Sequence, residues 1–254
     1  MEYIFTHLEQ KLFKIIGIIL LLIVISCEEG DPLSFYGGSE LLDMVESGWI
    51  DFRDGNYVNS LETFQQAKGL ADVQIGSDTL LIHSTFGNIH TGIGWCNLRL
   101  LNAEVARNNF IISQEYELYS FGASVGLMAA HYELGNGIQL DQSQIDLAIE
   151  IGHWIFSSGM PQEFENDNTI NADDVKLLLA KSYFAKGILS NGLGIDGTDA
   201  MHWILRLDPS YNYINIDDEN SWNLYDNDGT QDFDTFDEII LMLISLLEAD
   251  IFPA

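Results

Sequence analysis

Residues 47–67, SGWIDFRDGNYVNSLETFQQA, decide the fold class. Gly48 and Trp49 are followed by Phe52, then by Gly55-Asn56-Tyr57, Ser60, Phe64 and Ala67. A small residue lets a neighbouring helix come close, and aromatics three to four positions on fill the gap beside it. Gly55 offers the positive φ that ends a helix. Leu61, Phe64 and Ala67 then share one stripe of a second helix. The stretch predicts a helical hairpin, and neither helix alone buries its apolar face, so further hairpins must stack on it.

The chain supplies them. Gly94, Trp95, Leu98, Ala106, Phe110 and Ser113 each stand 46 positions after Gly48, Trp49, Phe52, Ser60, Phe64 and Ala67. Six pairs at one offset mark an internal repeat. A third copy follows in LMAAHYELGN, where Tyr132 and Gly135 stand 34 positions after Leu98 and Leu101. A fourth lies in DDVKLLLAKSYFAKG, with Ala180, Phe184 and Gly187 in the places of Gly48, Phe52 and Gly55. Gly135 and Gly187 are expected to end their helices with positive φ, as Gly55 does. The longer first interval predicts an extended helix from about Thr79 to Leu101. Two inserts, GIQLDQSQ after Gly135 and ILSNGLGIDGTDA after Gly187, are expected on one face, where binding can be elaborated. The final EIILMLISLLEADIF is expected to cap the last hairpin. Its apolar centre, Ile239 to Leu247, is too short for a bilayer span of about 20 residues.

These residues resemble the tetratricopeptide repeat, and more closely a group of bacterial lipoproteins built from a lipobox, a short acidic tether and several such repeats. The matching positions are Gly48, Tyr57, Ser60, Phe64 and Ala67, then Gly94, Ala106, Phe110 and Ser113. The third copy contributes Gly135 and Ala148, and the fourth Ala180, Gly187 and Leu207-Asp208-Pro209. Ser60 and Ser113 depart from the alanine usual there. The resemblance implies an all-α, tetratricopeptide-like helical-hairpin solenoid with a C-terminal capping helix over residues 41–254, acting as a non-catalytic scaffold for a protein or peptide partner.

The N-terminus reads as a targeting segment. Lys11 and Lys14 precede an apolar run of 11 residues, Ile15 to Ile25, and then Ser26 and Cys27. That length suits a signal-peptide core and not a membrane span. The ending V-I-S-C resembles a lipobox, with Val24 where leucine is typical. It implies a signal peptide over residues 1–27, lipid attachment at Cys27 and a membrane-held protein of the bacterial cell envelope, at the outer membrane. Residues 28–40, opening E-E-G-D-P, are the expected acidic tether.

With 39 acidic against 10 basic side chains the net charge is −29. Nucleic acid is excluded as a partner, because phosphate binding needs clustered lysine and arginine. Catalytic patterns fare little better. G-A-S-V-G at 122–126 matches a nucleophile elbow around Ser124, but that chemistry needs a strand-to-helix turn on a parallel sheet, and the preceding residues read as helices. D-N-D-G at 226–229 fails the calcium-loop register, which would put Leu224 first and Thr235 last. Its acidic residues leave weak calcium binding open. His83 and His90 share a helix face without a zinc-ligand pattern. Cys96, between Trp95 and Leu98, reads as a buried thiol. No metal, cofactor or enzymatic activity is expected. The candidate groove aromatics are Trp49 and Trp95, which would form a ladder for a ligand if the first helices line one face, or core wedges if they turn inward. Competing functions are nutrient or glycan binding at the cell surface and an accessory role in outer-membrane protein assembly.

Overall fold

The structure, a computed structural model, describes residues 32–74, 79–191, 197–222, 233 and 235–251. Cys27, the signal segment and the Asp226–Gly229 stretch lie outside the described residues, so the readings placed on them stand as sequence readings. The chain divides at residue 43 into two units. The described part of the first, residues 32–43, is entirely helical and continues into the second as the start of α1 (Pro32–Arg53).

From Met44 onward the fold is all-α. The succeeding helices are α2 (Tyr57–Gln74), α3 (Thr79–Arg99), α4 (Ala103–Tyr116), α5 (Phe121–Gly135), α6 (Gln142–Ser158), α7 (Ala172–Ala185), α8 (Ala200–Leu207) and α9 (Phe236–Ile251). Short 3-10 turns at Pro209–Tyr213 and Glu219–Trp222 follow α8. From α2 to α8 each helix packs on the next, and the first helices of successive hairpins, α3, α5 and α7, also touch one another. The C-terminal α9 packs on α7 and α8 and closes the last hairpin. This is a capped helical solenoid, as expected. Among the described residues no helix is long and apolar enough to cross a membrane.

The repeat has a definite packing unit. Phe64 of α2 is fully buried, with its ring against Gly48 of α1 and Gly92 of α3; a methyl on either glycine would come within 2.9 or 2.4 Å of it. Phe110 of α4 does the same one hairpin later, against Gly94 of α3 and Gly126 of α5, at 2.6 and 2.2 Å. Each ring therefore fills a slot between the first helix of its own hairpin and that of the next. The serines found where alanine is usual are bonded. Ser60 Oγ donates to the Gly48 carbonyl at 2.8 Å, and Ser113 Oγ to that of Gly87 at 2.8 Å.

The third interface reverses the arrangement. Gly152 of α6 leaves the space, and Leu179 of α7 and Met128 of α5 fill it, each 2.8 Å from where a methyl would sit. Gly135 is a further correction. It is the last residue of α5 and is absent from the positive-φ positions; it is small because Ile145 of α6 crosses it, 2.7 Å from a would-be methyl. Gly55 and Gly187 do take positive φ, 79° and 72°. The corresponding place after α3 holds Leu101, at φ 63°. Its carbonyl-closing pattern matches that of Gly55: Asn102 N–H donates to the Asn97 carbonyl as Asn56 N–H does to Asp51, both at 2.8 Å.

Candidate functional site

The face shared by the first helices is partly covered by the chain itself. Between α6 and α7 the residues 159–171 turn at Gly159 (φ 70°) and fold back, closed by a bridge between Glu163 and Asn171 and by Phe164 N–H donating to the Ile170 carbonyl at 3.2 Å. Phe164 then packs edge-on against Trp49 at 5.2 Å and fills the space above Gly122 of α5. Asn166 Nδ2 donates to Asn88 Oδ1 at 2.9 Å, and Arg53 Nη1 donates to the Asn166 carbonyl at 2.8 Å. Sequence reading placed the elaborations after Gly135 and Gly187. Among the described residues a further loop, this one, reaches the first-helix face, signalled only by the Met160-Pro161 start and the Asn171 helix cap.

This loop decides the surroundings of Trp49. The residue has no exposed surface, with Phe52 at 5.6 Å, Phe64 at 5.0 Å and Phe164 around its ring. Its Nε1 donates to Asn88 Oδ1 at 2.9 Å. Trp49 thus has no face open to a ligand in this conformation. Trp95 is placed differently. Its Nε1 donates to the Gly122 carbonyl at 3.0 Å and its ring meets Phe110 at 5.7 Å, but its remaining surface lines a pocket. The two tryptophans occupy equivalent helix positions without forming a ladder.

The pocket has a volume of about 280 Å³ and lies where α3, α5 and α7 meet. Trp95, Leu98, Val125, Ala129 and Leu178 form apolar walls, and Ile170 of the covering loop closes one side. Leu101 stands at the edge, 89% exposed, in the left-handed conformation that disfavours a side chain. Arg99 and Lys181 supply positive charge to the wall, Glu133 and Asp174 negative charge.

Asp174 is the unusual member. It is 1% exposed, and its Oδ2 accepts the Asn171 N–H at 2.6 Å in a reciprocal cap of α7. Its Oδ1 is buried and has no hydrogen-bond partner among the described residues. Burial is the main reason its pKa is raised to about 6; the neighbouring Asp173 charge adds to this, while the Asn171 N–H and Arg99 oppose it. The folded pKa lies above the ordinary value, so the stabilising contribution is complete below about pH 4 and lost as pH rises through about 6. Asp174→Asn is therefore expected to gain about 2–3 kcal/mol on the wild type between pH 4 and pH 7. Denaturant unfolding of both proteins across that range, where Glu133, Asp173, Arg99 and Lys181 are common to the two, measures the difference.

The remaining candidates make contacts within the fold. Ser124 lies inside α5, with no exposed surface, and its Oγ donates to the Ser120 carbonyl at 2.7 Å, so it is not on a nucleophile elbow. Cys96 contacts Ser60 Oγ at 3.1 Å and burial pushes its thiol up to about 11, an inert core group. His90 faces Asn109 at 2.8 Å, while His83 packs edge-on against Tyr116. No group of three metal-ligating side chains occurs among the described residues.

No family model, curated protein or solved structure matches the chain.

Proposed function

We propose that the protein is a lipid-anchored component of the bacterial cell envelope that recognises a protein or peptide partner, without chemistry, on the face of its first helices. One observation carries the recognition part: α3, α5 and α7 line a preformed recess whose apolar walls are joined by four charged residues, Arg99, Glu133, Asp174 and Lys181. Concave, mostly apolar pockets with a few convergent polar groups are the usual form of binding sites. The stacking of tetratricopeptide-like hairpins supplies the rigid elements that hold it. Anchoring is argued from the sequence, where a basic start, a short apolar core and Val-Ile-Ser-Cys27 succeed one another. The acidic surface then discourages self-association and steers the chain toward partners with a basic surround.

The test is a photo-crosslinking amino acid placed in the native host at Leu101 or Glu133, at the pocket edge, or at Val105 or Leu147, exposed on the second helices. The expected result is one dominant crosslinked species from the first pair and not from the second, together with an acyl mass on Cys27 that Cys27→Ala removes. Uniform crosslinks from all four positions would end the recognition reading. An unmodified Cys27 would end the anchoring.

A further inference from the structure

We infer that the loop of residues 159–171 is a displaceable strap, and that the place its Phe164 holds between Trp49 and Gly122 takes an aromatic residue flanked by basic ones from a protein partner. The inference rests on the recognition face proposed above and names the segment that face takes.

The first observation is how the loop is held. Its backbone closes on itself: Phe164 N–H donates to the Ile170 carbonyl, Asp167 N–H to that of Phe164 and Ile170 N–H to that of Asp167, at 3.2, 3.2 and 3.1 Å. Asp167 Oδ1 also accepts the Thr169 N–H and hydroxyl, at 3.0 and 2.7 Å. These bonds persist when the loop moves as a unit, hinged at Gly159 with its φ of 70°. Its ties to the first helices run through the Phe164 and Ile170 side chains and two hydrogen bonds at Asn166, one of them from the exposed Arg53. A segment whose own bonds outnumber those to its surroundings belongs to the low-stability end of a fold.

The second observation is charge. Residues 159–171 contain Glu163, Glu165 and Asp167 and no lysine or arginine. Glu117, the C-cap of α4, lies over Gly87 of α3, its Cβ 3.5 Å from a would-be methyl, and the adjacent Asn88 bonds the neighbour of Glu165. The two carboxylates therefore face each other: partial loss of solvent raises the pKa of Glu117, and the Glu165 charge raises it further. On the other side of Asn166, Arg53 is already paired with Glu46 at 2.9 Å. The strap is thus seated against like charge, in a chain of net charge −29. A lysine or arginine beside an aromatic ring meets Glu117 as an opposite charge instead. The place of the ring is already shaped. Phe164 is 6% exposed, edge-on to Trp49 at 5.2 Å, and comes within 2.3 Å of a would-be methyl on Gly122. A partner's aromatic side chain fills the same volume with the same edge contact.

The experiment is an NMR titration of the full chain with two end-blocked pentapeptides, Lys-Lys-Phe-Lys-Lys and Lys-Lys-Ala-Lys-Lys, read at the indole N–H of Trp49 and the amides of Phe164 and Asn166. Both peptides are drawn to the acidic surface, so the difference between them is the readout. The phenylalanine peptide is expected to move all three signals and to bind at least about tenfold more tightly than the alanine one. Phe164→Ala vacates the slot and should tighten the phenylalanine peptide, and not the alanine one, by about threefold or more. Glu165→Lys sets the strap's own cation beside Glu117 and should weaken the phenylalanine peptide by a similar factor. That variant is expected to lose no stability, so it gives a reading even if Phe164→Ala fails to fold. Equal affinity for the two peptides, phenylalanine-dependent binding that leaves the Trp49 signal unmoved, or unchanged affinity in Glu165→Lys would overturn the proposal. Pocket-edge crosslinks in the host without phenylalanine-dependent binding would refute the strap and leave the recognition face standing. Phenylalanine-dependent binding at Trp49 without those crosslinks would uphold the strap and refute recognition at the pocket edge.

Discussion

Phe110→Ala is expected to lower the unfolding free energy by about 3–5 kcal/mol, the upper range for large-to-small core changes. The ring is fully buried and lies against Gly94 and Gly126, whose backbones cannot move in to fill the space without shifting two helices. The loss falls at the junction of the second and third hairpins. In a stacked-repeat protein, stability is the sum of each hairpin and its interfaces. The variant should therefore unfold in a broader transition, as the two halves lose their coupling. Denaturant curves read by tryptophan fluorescence, with rings at Trp49 and Trp203 reporting from opposite sides of the junction, measure both effects.

Trp49→Ala should cost as much, about 3–5 kcal/mol, because three rings and the Asn88 bond are lost together. Trp49→Phe keeps a ring among Phe52, Phe64 and Phe164 and forfeits the N–H, so it should cost about 1–2 kcal/mol. The same change reaches the covering loop, since Phe164 rests on Trp49 and Asn166 shares Asn88 with it. Protection of the loop amides from hydrogen exchange, notably that of Phe164, should fall in Trp49→Ala and persist in Trp49→Phe. Near-wild-type stability of Trp49→Ala would instead make the indole a surface group.

The first two hairpins were legible because glycine and phenylalanine recur at fixed places, and the structure explains the recurrence: each phenyl ring needs a glycine on two successive first helices. The third copy faded because the slot and its filler change sides. Gly152, Met128 and Leu179 achieve the same closeness with no aromatic to mark it. Gly135 was recognised as a repeat position for the wrong physical reason, since a glycine demanded by a crossing side chain and one demanded by positive φ look alike in sequence. Leu101 hid a left-handed turn because the residue type argues against it.

The site was legible only in part. Trp95 was singled out by its repeat position and does line the pocket, while the equivalent Trp49 is enclosed because a loop distant in sequence lies over it. Nothing in the run from Met160 to Asn171 announces that Phe164 and Ile170 will be buried, because hydrophobic periodicity is a property of helices and strands and this segment is neither. Asp174 reads as an ordinary first-turn acid that caps α7. That its carboxylate is buried with one oxygen left without a donor depends on how the neighbouring helices approach, which local sequence does not encode.

Successive first helices are held close by a shared phenyl ring. The measurement that tests it most directly is the stability of Gly126→Ala in the wild type and in the Phe110→Ala background. With the ring in place the added methyl collides with it, and the change should cost about 1–3 kcal/mol. With the ring gone the methyl enters the vacated space, and the alanine should be neutral or stabilising by up to about 1 kcal/mol from its helix preference. A reversal of sign between the two backgrounds is the predicted result, and equal costs in both would contradict the clamp.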